Sequence, residues 1–86
     1  MMGFYTVVSR ANCQWCELAL EVLHETGERP IVHYVDKDHS IRTLMLMAGL
    51  KTVPQVFSPE GYHIGGYEDL VEYLLEKQED DSDDPY

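Results

Sequence analysis

Strand-like segments alternate with amphipathic helical segments along this 86-residue chain, and their order limits the folds that it can adopt. Four segments rich in β-branched and aromatic residues predict strands. These are residues 4–8, 31–35, 55–58 and 62–64. Three segments with apolar residues at helical spacing predict helices. These are residues 14–26, 41–48 and 67–77. In the order βαβαββα the first two strands need a parallel crossover, and the last two fit an antiparallel hairpin. We therefore expect an α/β domain with a four-stranded mixed sheet and three flanking helices.

Local signals predict where the helices begin and end and which side chains face the core. Gly27 and Gly49 are placed to end the first two helices, because glycine accepts the conformation that follows a helix. Ser40 is the predicted N-cap of the second helix. The second strand is apolar apart from His33, a pattern typical of a strand covered on both faces. The predicted inward-facing positions are Cys16, Ala19, Leu20, Leu23, Ile41, Leu44, Met45, Ala48, Leu70, Val71, Leu74 and Leu75.

The chain has a formal net charge of −10, which argues against a general nucleic-acid binder because such proteins need a basic surface. Five acids lie in residues 79–86, where no apolar period is present. We therefore predict one domain over residues 1–78 and an acidic, disordered tail over residues 79–86. No segment approaches the roughly 20 apolar residues of a membrane span, and no signal-peptide pattern begins the chain. These observations predict a cytoplasmic chain without a membrane partner. No large spare apolar face is evident in the sequence, so we expect a monomer.

Two cysteines, Cys13 and Cys16, are the only ones in the chain, and they flank Gln14 and Trp15 at the start of the first predicted helix. A thiol at a helix N-terminus faces unpaired N–H groups and the positive end of the helix dipole, which favour the nucleophilic thiolate. The second cysteine lies one turn later on the same face, so it can attack a mixed disulfide formed on the first. A CxxC pair in a βαβ pattern indicates a thiol-redox site.

Three motifs, taken together and in this order, resemble the glutaredoxins of the thioredoxin-fold superfamily. They are Cys13-x-x-Cys16 between a strand and a helix, Thr52-Val53-Pro54, which is similar to the family's cis-proline loop, and Gly65-Gly66-x-x-Asp69 before the last helix. Residues 54–66 are especially similar to the short glutaredoxins that bacteriophages encode. The resemblance covers residues 4–77 and implies the thioredoxin fold.

The resemblance also implies how the site works. Cys13 would attack a substrate disulfide, and Cys16 would resolve the mixed disulfide. The Val53 backbone could pair with a cysteinyl substrate as one short added strand. Arg10 would bind the glycyl carboxylate of glutathione and favour the thiolate, with Lys37 and Gln55 as weaker candidates for that carboxylate.

The remaining implied contacts surround the γ-glutamyl end of glutathione. The backbone at Gly66, Tyr67 and Glu68 would contact its α-carboxylate at a helix N-terminus, and Asp69 would face its ammonium group. Trp15 stands where the family commonly has tyrosine and would form the rim of the substrate groove. The full implied set is Arg10, Trp15, Thr52, Val53, Pro54, Gly66, Tyr67, Glu68 and Asp69.

We therefore predict a dithiol glutaredoxin that reduces protein disulfides and glutathione mixed disulfides, with glutathione as reductant and no tightly bound cofactor. The resemblance implies ribonucleotide reductase as a protein substrate. Three alternatives stay open: a redoxin reduced by thioredoxin reductase, an iron–sulfur cluster carrier, and a binding module without enzymatic activity. The glycine motif favours glutathione as reductant over thioredoxin reductase. Gln14 argues against the cluster carrier, because the residue usual at that position in cluster carriers is smaller. The four histidines lie on different predicted elements, so we predict no metal site.

Overall fold

The computed structural model describes residues 3–81 as one sheet and three helices. The elements are β1 (Thr6–Ser9), α1 (Gln14–Glu25), β2 (Ile31–Tyr34), α2 (His39–Met47), β3 (Gln55–Phe57), β4 (His63–Gly65) and α3 (Tyr67–Asp81). This is the predicted order. The last helix continues beyond its predicted end at residue 77, and residues 82–86 of the predicted tail lie outside the described part. The division of the chain at residue 78 stays a prediction.

The strands form a mixed sheet in the order β2-β1-β3-β4. β1 pairs in parallel with β2, where Val7 lies opposite Val32, and antiparallel with β3, where Val7 lies opposite Val56. β3 and β4 form the antiparallel hairpin, with an irregular register at Val56 and Phe57. The mixed sheet predicted from the order of elements is therefore confirmed, and β1 ends directly before the loop that carries the cysteines.

β2 lies at the edge of the sheet, and this corrects one prediction. Ile31 is 46% exposed and Tyr34 is 39% exposed, so the strand is not covered on both faces. A continuous apolar run is typical of a covered strand. The strand order leaves β2 with a single neighbour, β1, and so with less cover than its sequence predicts.

The main core lies between the sheet and the helices α1 and α3. These two helices pack against each other, α1 also packs against β1, and α3 packs against β3 and β4. The buried cluster comprises Tyr5, Val7, Ala19, Leu23, Val56 and Leu70. Because successive residues of a strand face opposite sides of a sheet, Val7 points into this core and Val8 points away from it.

Most predicted inward positions of α1 and α3 contact this core. In α1, Leu20 packs against the cluster, and in α3, Leu74 does the same. Leu75 is exposed instead. Tyr73 packs against the cluster, and its ring meets that of Tyr5 edge to face at a centroid distance of 6.3 Å. Leu70, Tyr73 and Leu74 follow one another at helical spacing, so the tyrosine ring extends the apolar stripe that the leucines predict.

α2 begins earlier and is less buried than predicted. Asp38 is its N-cap, with Oδ1 accepting a hydrogen bond from the Ile41 N–H at 3.1 Å, so the predicted Ser40 cap is wrong. Aspartate and serine are comparable N-caps, and the extended backbone at Asp38 decides between them. Of the predicted stripe only Met45 is buried, and Leu44 is 60% exposed. Within residues 3–81 no helix is long and apolar enough to cross a bilayer.

Candidate active site

Cys13 is the N-cap residue of α1, just after the carboxyl end of β1. The preceding loop turns at Asn12, whose φ of 58° is a left-handed conformation that asparagine adopts more readily than most residues. Cys13 itself is extended, and its Sγ atom accepts a hydrogen bond from the Cys16 N–H at 3.3 Å. The sulfur thus takes the place of the side-chain oxygen at an ordinary N-cap. This is the position that the sequence predicts for it.

The surroundings of Cys13 favour its thiolate although the side chain is only 6% exposed. Burial by itself raises the pKa of the thiol. Hydrogen bonds from Cys16, the positive charge of Arg10 and a backbone hydrogen bond from Trp15 outweigh burial and hold the pKa of Cys13 below its ordinary value. A lowered pKa increases the fraction of thiolate, the nucleophilic form, at neutral pH.

Cys16 has the opposite character. It lies on the inner face of α1, 1% exposed, and burial is the main reason why its pKa is raised. The hydrogen bond and the negative charge of Cys13 raise the pKa further, whereas the Ser9 hydroxyl and the Arg10 backbone act against the rise. Cys13 therefore ionises first, and Cys16 keeps its proton.

Residues 52–54, which we call the proline loop, precede β3. The Val53–Pro54 peptide bond is cis, in agreement with the resemblance. Gln55 anchors the loop, because its Nε2 donates to the carbonyl oxygen and the Oγ1 of Thr52, each at 3.1 Å. The Gln55 Oε1 accepts from His63 Nε2 at 2.7 Å, which ties the loop to β4. The Gln55 side chain is thus engaged inside the protein and is not directed to a ligand carboxylate.

Gly65 and Gly66 turn the chain from β4 into α3. Gly65 has a φ of +125°, and a Cβ atom there would lie 2.8 Å from Asp69 Cγ, so only glycine fits. The Gly66 N–H donates to Asp69 Oδ2 at 3.2 Å. This bond holds a negative charge at the start of α3, next to the N–H groups that every helix N-terminus presents.

Eight of the nine residues predicted to contact glutathione line one groove of about 260 Å³, which we call the CxxC groove. They are Trp15, Thr52, Val53, Pro54, Gly66, Tyr67, Glu68 and Asp69. The rings of Trp15 and Tyr67 lie 5.8 Å apart at an angle of 41°, and Trp15 is 52% exposed. Two aromatic side chains therefore form part of the rim, where a substrate would enter.

The ninth residue, Arg10, lines a different and larger cavity of about 630 Å³, which we call the basic pocket. Thr52 and Val53 line both cavities, so the two are neighbours across the proline loop. Arg42 and Lys51 also line the basic pocket. The sequence pattern does not single out either residue. Lys51 directly precedes the proline loop, whereas Arg42 lies on α2, which only the folded chain brings to that loop.

Other predicted candidates lie away from these cavities. Lys37 is not in the lining of the basic pocket, and its Nζ lies 5.8 Å from the centroid of the Tyr34 ring. The histidines are distributed over different elements. In the described part of the chain, no three histidine, cysteine, aspartate or glutamate side chains are grouped so that they could hold a metal ion.

One family of known proteins matches most of this chain. The family model described as glutaredoxin matches residues 5–64, the span that contains the CxxC and the proline loop. The chain belongs to the glutaredoxin family. It is therefore a thiol-disulfide oxidoreductase with the thioredoxin fold, as the sequence predicts.

Individual glutaredoxins and one longer relative are similar to this chain. The solution structure of the dithiolic glutaredoxin 2-C-Grx1 from Trypanosoma brucei brucei is 32% identical, with a TM-score of 0.74, covering 92% of this chain and 84% of that one. A crystal structure of a buckwheat glutaredoxin–glutathione complex is 26% identical, with a TM-score of 0.74, covering 88% of this chain and 72% of that one. The hybrid peroxiredoxin hyPrx5 of Haemophilus influenzae is 34% identical over 69 residues. These are 80% of this chain, which spans only 28% of that relative.

Proposed function

We propose that the chain is a dithiol glutaredoxin that uses glutathione to reduce protein disulfides and glutathione mixed disulfides. The observation that carries this proposal is the CxxC groove, in which the proline loop and the first turn of α3 lie together beside Trp15 and Tyr67. Such a groove offers main-chain groups to an extended cysteinyl peptide and a helix N-terminus to a carboxylate. The similar buckwheat protein, described as a glutathione complex, supports the same ligand here.

In the proposed complex the cysteinyl residue of glutathione pairs with the main chain of Val53. The γ-glutamyl carboxylate then reaches the N–H groups of Tyr67 and Glu68, where the helix dipole favours negative charge. Its ammonium group lies near the Asp69 carboxylate. The glycyl carboxylate points across the proline loop towards Arg10, whose positive charge also lowers the pKa of Cys13.

The first step of the proposed reaction is attack by the Cys13 thiolate on one sulfur of the substrate disulfide. A bond forms between Cys13 Sγ and that sulfur, the substrate disulfide bond breaks, and the departing thiolate takes a proton from water. The lowered pKa of Cys13 supplies the attacking thiolate near neutral pH. Cys13, the N-cap of α1, lies two residues before Trp15, which lines the CxxC groove.

Cys16 resolves the mixed disulfide. Its pKa is raised partly by the hydrogen bond and the charge of Cys13, and both are lost once the Cys13 sulfur is bonded to substrate. Cys16 therefore ionises more readily at the stage when it must attack. It displaces the substrate thiolate and leaves a Cys13–Cys16 disulfide. Two glutathione molecules then return the electrons: one forms a mixed disulfide with Cys13, and the second leaves with it as glutathione disulfide.

The proposal is tested by NADPH consumption with glutathione, glutathione reductase and the mixed disulfide of glutathione and mercaptoethanol. Cys13→Ser should abolish turnover. Cys16→Ser should keep turnover of this substrate, which needs only Cys13, but lose reduction of protein disulfides. If Cys16→Ser were as inactive as Cys13→Ser, the division of roles would be wrong. Turnover with thioredoxin reductase, and none with glutathione, would instead show that the chain is a redoxin reduced by thioredoxin reductase.

Ribonucleotide reductase is the protein substrate that the family resemblance implies, and we propose it on that ground. The similarity to a hybrid peroxiredoxin favours a second protein substrate, a thiol peroxidase whose disulfide this chain would reduce. Either enzyme can replace the small disulfide in the coupled assay.

We also infer a cytoplasmic location, because the cytoplasm is the reducing compartment in which free thiols persist.

A further inference from the structure

Half of the basic residues of this acidic chain line a single cavity. The chain has six lysines and arginines against sixteen acids, and three of the six, Arg10, Arg42 and Lys51, line the basic pocket. Asp36 is the one acid among the lining residues. A local excess of positive charge in a molecule of net charge −10 forms a field that attracts anionic groups to this place.

The basic pocket is also larger and more apolar than a site for one carboxylate. Its volume of about 630 Å³ is in the range of cavities that hold whole ligands. Met45, Leu46 and Leu50 contribute apolar lining to the same pocket. Met45 is buried, whereas Leu46 is exposed. The pocket thus combines apolar and cationic lining residues, which suits a peptide segment carrying apolar and acidic side chains.

The position of the pocket relates it to the chemistry. It adjoins the CxxC groove across Thr52 and Val53, the loop on which a cysteinyl substrate pairs in the proposed function. In that pose the γ-glutamyl group occupies the α3 side, and the chain that follows the cysteine leads towards Arg10. In a protein substrate, the residues after the reacting cysteine would therefore enter the basic pocket.

We propose that the basic pocket is a docking site for the acidic segment that follows the reactive cysteine of protein substrates, with an apolar side chain of that segment on Met45, Leu46 and Leu50. The proposal rests on the pose of the proposed function. Arg42 and Lys51 select such substrates by charge. The chemistry is unchanged: the two thiols pass two electrons and two protons to the substrate disulfide, which becomes a dithiol.

The experiment omits glutathione, so that its failure is distinct from a failure of glutathione dependence. The reduced protein is mixed with peptides that contain one internal disulfide and differ only after the second cysteine. One has glutamates on both sides of a leucine there, and the other has lysines. Acid quenching, alkylation and mass spectrometry then give the rate at which Cys13 and Cys16 become oxidised.

We expect the acidic peptide to react about tenfold faster than the basic one at low salt, with the ratio falling towards one at about 0.5 M salt. Arg42→Glu combined with Lys51→Glu should reverse the preference. The matched control, Arg29→Glu combined with Lys77→Glu, changes the net charge equally at residues outside the pocket and should keep it. Arg10 is left intact because it also acts on the Cys13 thiol.

Because each ratio is measured within one variant, a general loss of activity does not alter it. If the double variant fails to fold, Arg42→Gln and Lys51→Gln are measured singly, and each should lower the ratio. Replacing the leucine of the acidic peptide by serine should slow its reaction. Equal rates for both peptides with the unsubstituted protein, an unchanged ratio in the pocket variants, or an equal change in the control would overturn the proposal. If the acidic peptide with serine in place of leucine reacted as fast as the one with leucine, the pocket would be a site for anions alone, and this result would also overturn the proposal.

Discussion

The Cys13 thiol shows how a few local contacts can outweigh burial. A buried thiol in apolar surroundings has a raised pKa and little reactivity, and Cys16 follows this rule. Cys13 departs from it because its Sγ lies where the first turn of α1 donates hydrogen bonds, with Arg10 nearby. Two cysteines in a single helix turn are thereby given different tasks, and the difference comes from their positions relative to the start of the helix.

The rate at which iodoacetamide alkylates Cys13 should therefore follow a titration curve whose midpoint lies below that of a free cysteine. A group with a lowered pKa is ionised over a wider range of pH, so alkylation stays fast as pH falls towards neutrality and is lost only as pH passes below the folded pKa. Cys16 should be alkylated more slowly at every pH. Peptide mass spectrometry after timed quenching separates the two sites.

Arg10→Ala should move the Cys13 midpoint upwards, since the arginine charge is one of the causes of the lowered pKa. Arg29→Ala removes an equal charge away from the site and serves as the control. An unchanged midpoint in Arg10→Ala would show that the hydrogen bonds from α1 alone hold the pKa down.

At the residue scale, the sequence predicted the parts of the site that depend on short motifs. Cys13 and Cys16 are spaced by one helix turn, and the position of Cys13 before α1 could be read from the apolar stripe that follows it. The engagement of Gln55 with Thr52 and His63 could not be predicted. Its two partners lie on either side of it in the chain, and only the register of the β3–β4 hairpin brings His63 within 2.7 Å.

At the scale of the elements, the turn from β4 into α3 depends on Gly65. We expect Gly65→Ala to destabilise the protein by about 3 kcal/mol, because a positive φ costs a non-glycine residue about 1–2 kcal/mol and overpacking adds a similar amount. The new Cβ would lie 2.9 Å from Asp69 Cβ, an atom that cannot move away unless α3 moves. Urea unfolding measures the change.

Gly27→Ala provides the matched control at the end of α1. Gly27 also has a positive φ, +86°, but a Cβ atom there meets nothing within 4 Å. It should cost about 1 kcal/mol, the conformational part alone. Equal losses in the two variants would mean that the Asp69 contact is not what requires glycine at position 65.

The sequence predicts best those elements whose signals lie within one segment and whose apolar face packs against a neighbouring element. α1 has its cap, its closing glycine and its buried stripe within one segment, and the stripe meets α3 and the sheet. β2 has an equally clear apolar run, yet its exposure is decided by its place in the strand order, which no local signal contains. The same limit applies to Arg42, because its place in the basic pocket depends on where α2 lies relative to the proline loop.

In the whole molecule, the buried side chains are divided unequally between helices α1 and α2. α1 contributes Cys16, Ala19 and Leu23 to the buried residues, whereas α2 contributes Met45 alone and leaves other apolar side chains exposed. Stability in a folded protein is not uniform, and segments with few buried apolar contacts open at a lower free energy than the core. α2 also carries Arg42 and forms part of the wall of the basic pocket.

Native-state hydrogen exchange should therefore show the amides of α2 exchanging through an opening at least about 2 kcal/mol below that of the α1 amides, which should open only with the whole domain. NMR with increasing, sub-denaturing urea measures both, and α2 amides should have the smaller urea dependence because less surface is exposed when they open. Leu44→Ala, at an exposed position, should leave the α1 opening unchanged, whereas Leu23→Ala should lower the α1 opening by more than the α2 opening, because the Leu23 contacts are lost only when the core opens. Equal protection of α1 and α2 would show that contacts other than buried side chains hold α2 in place, and the wall of the basic pocket would then be as rigid as the core.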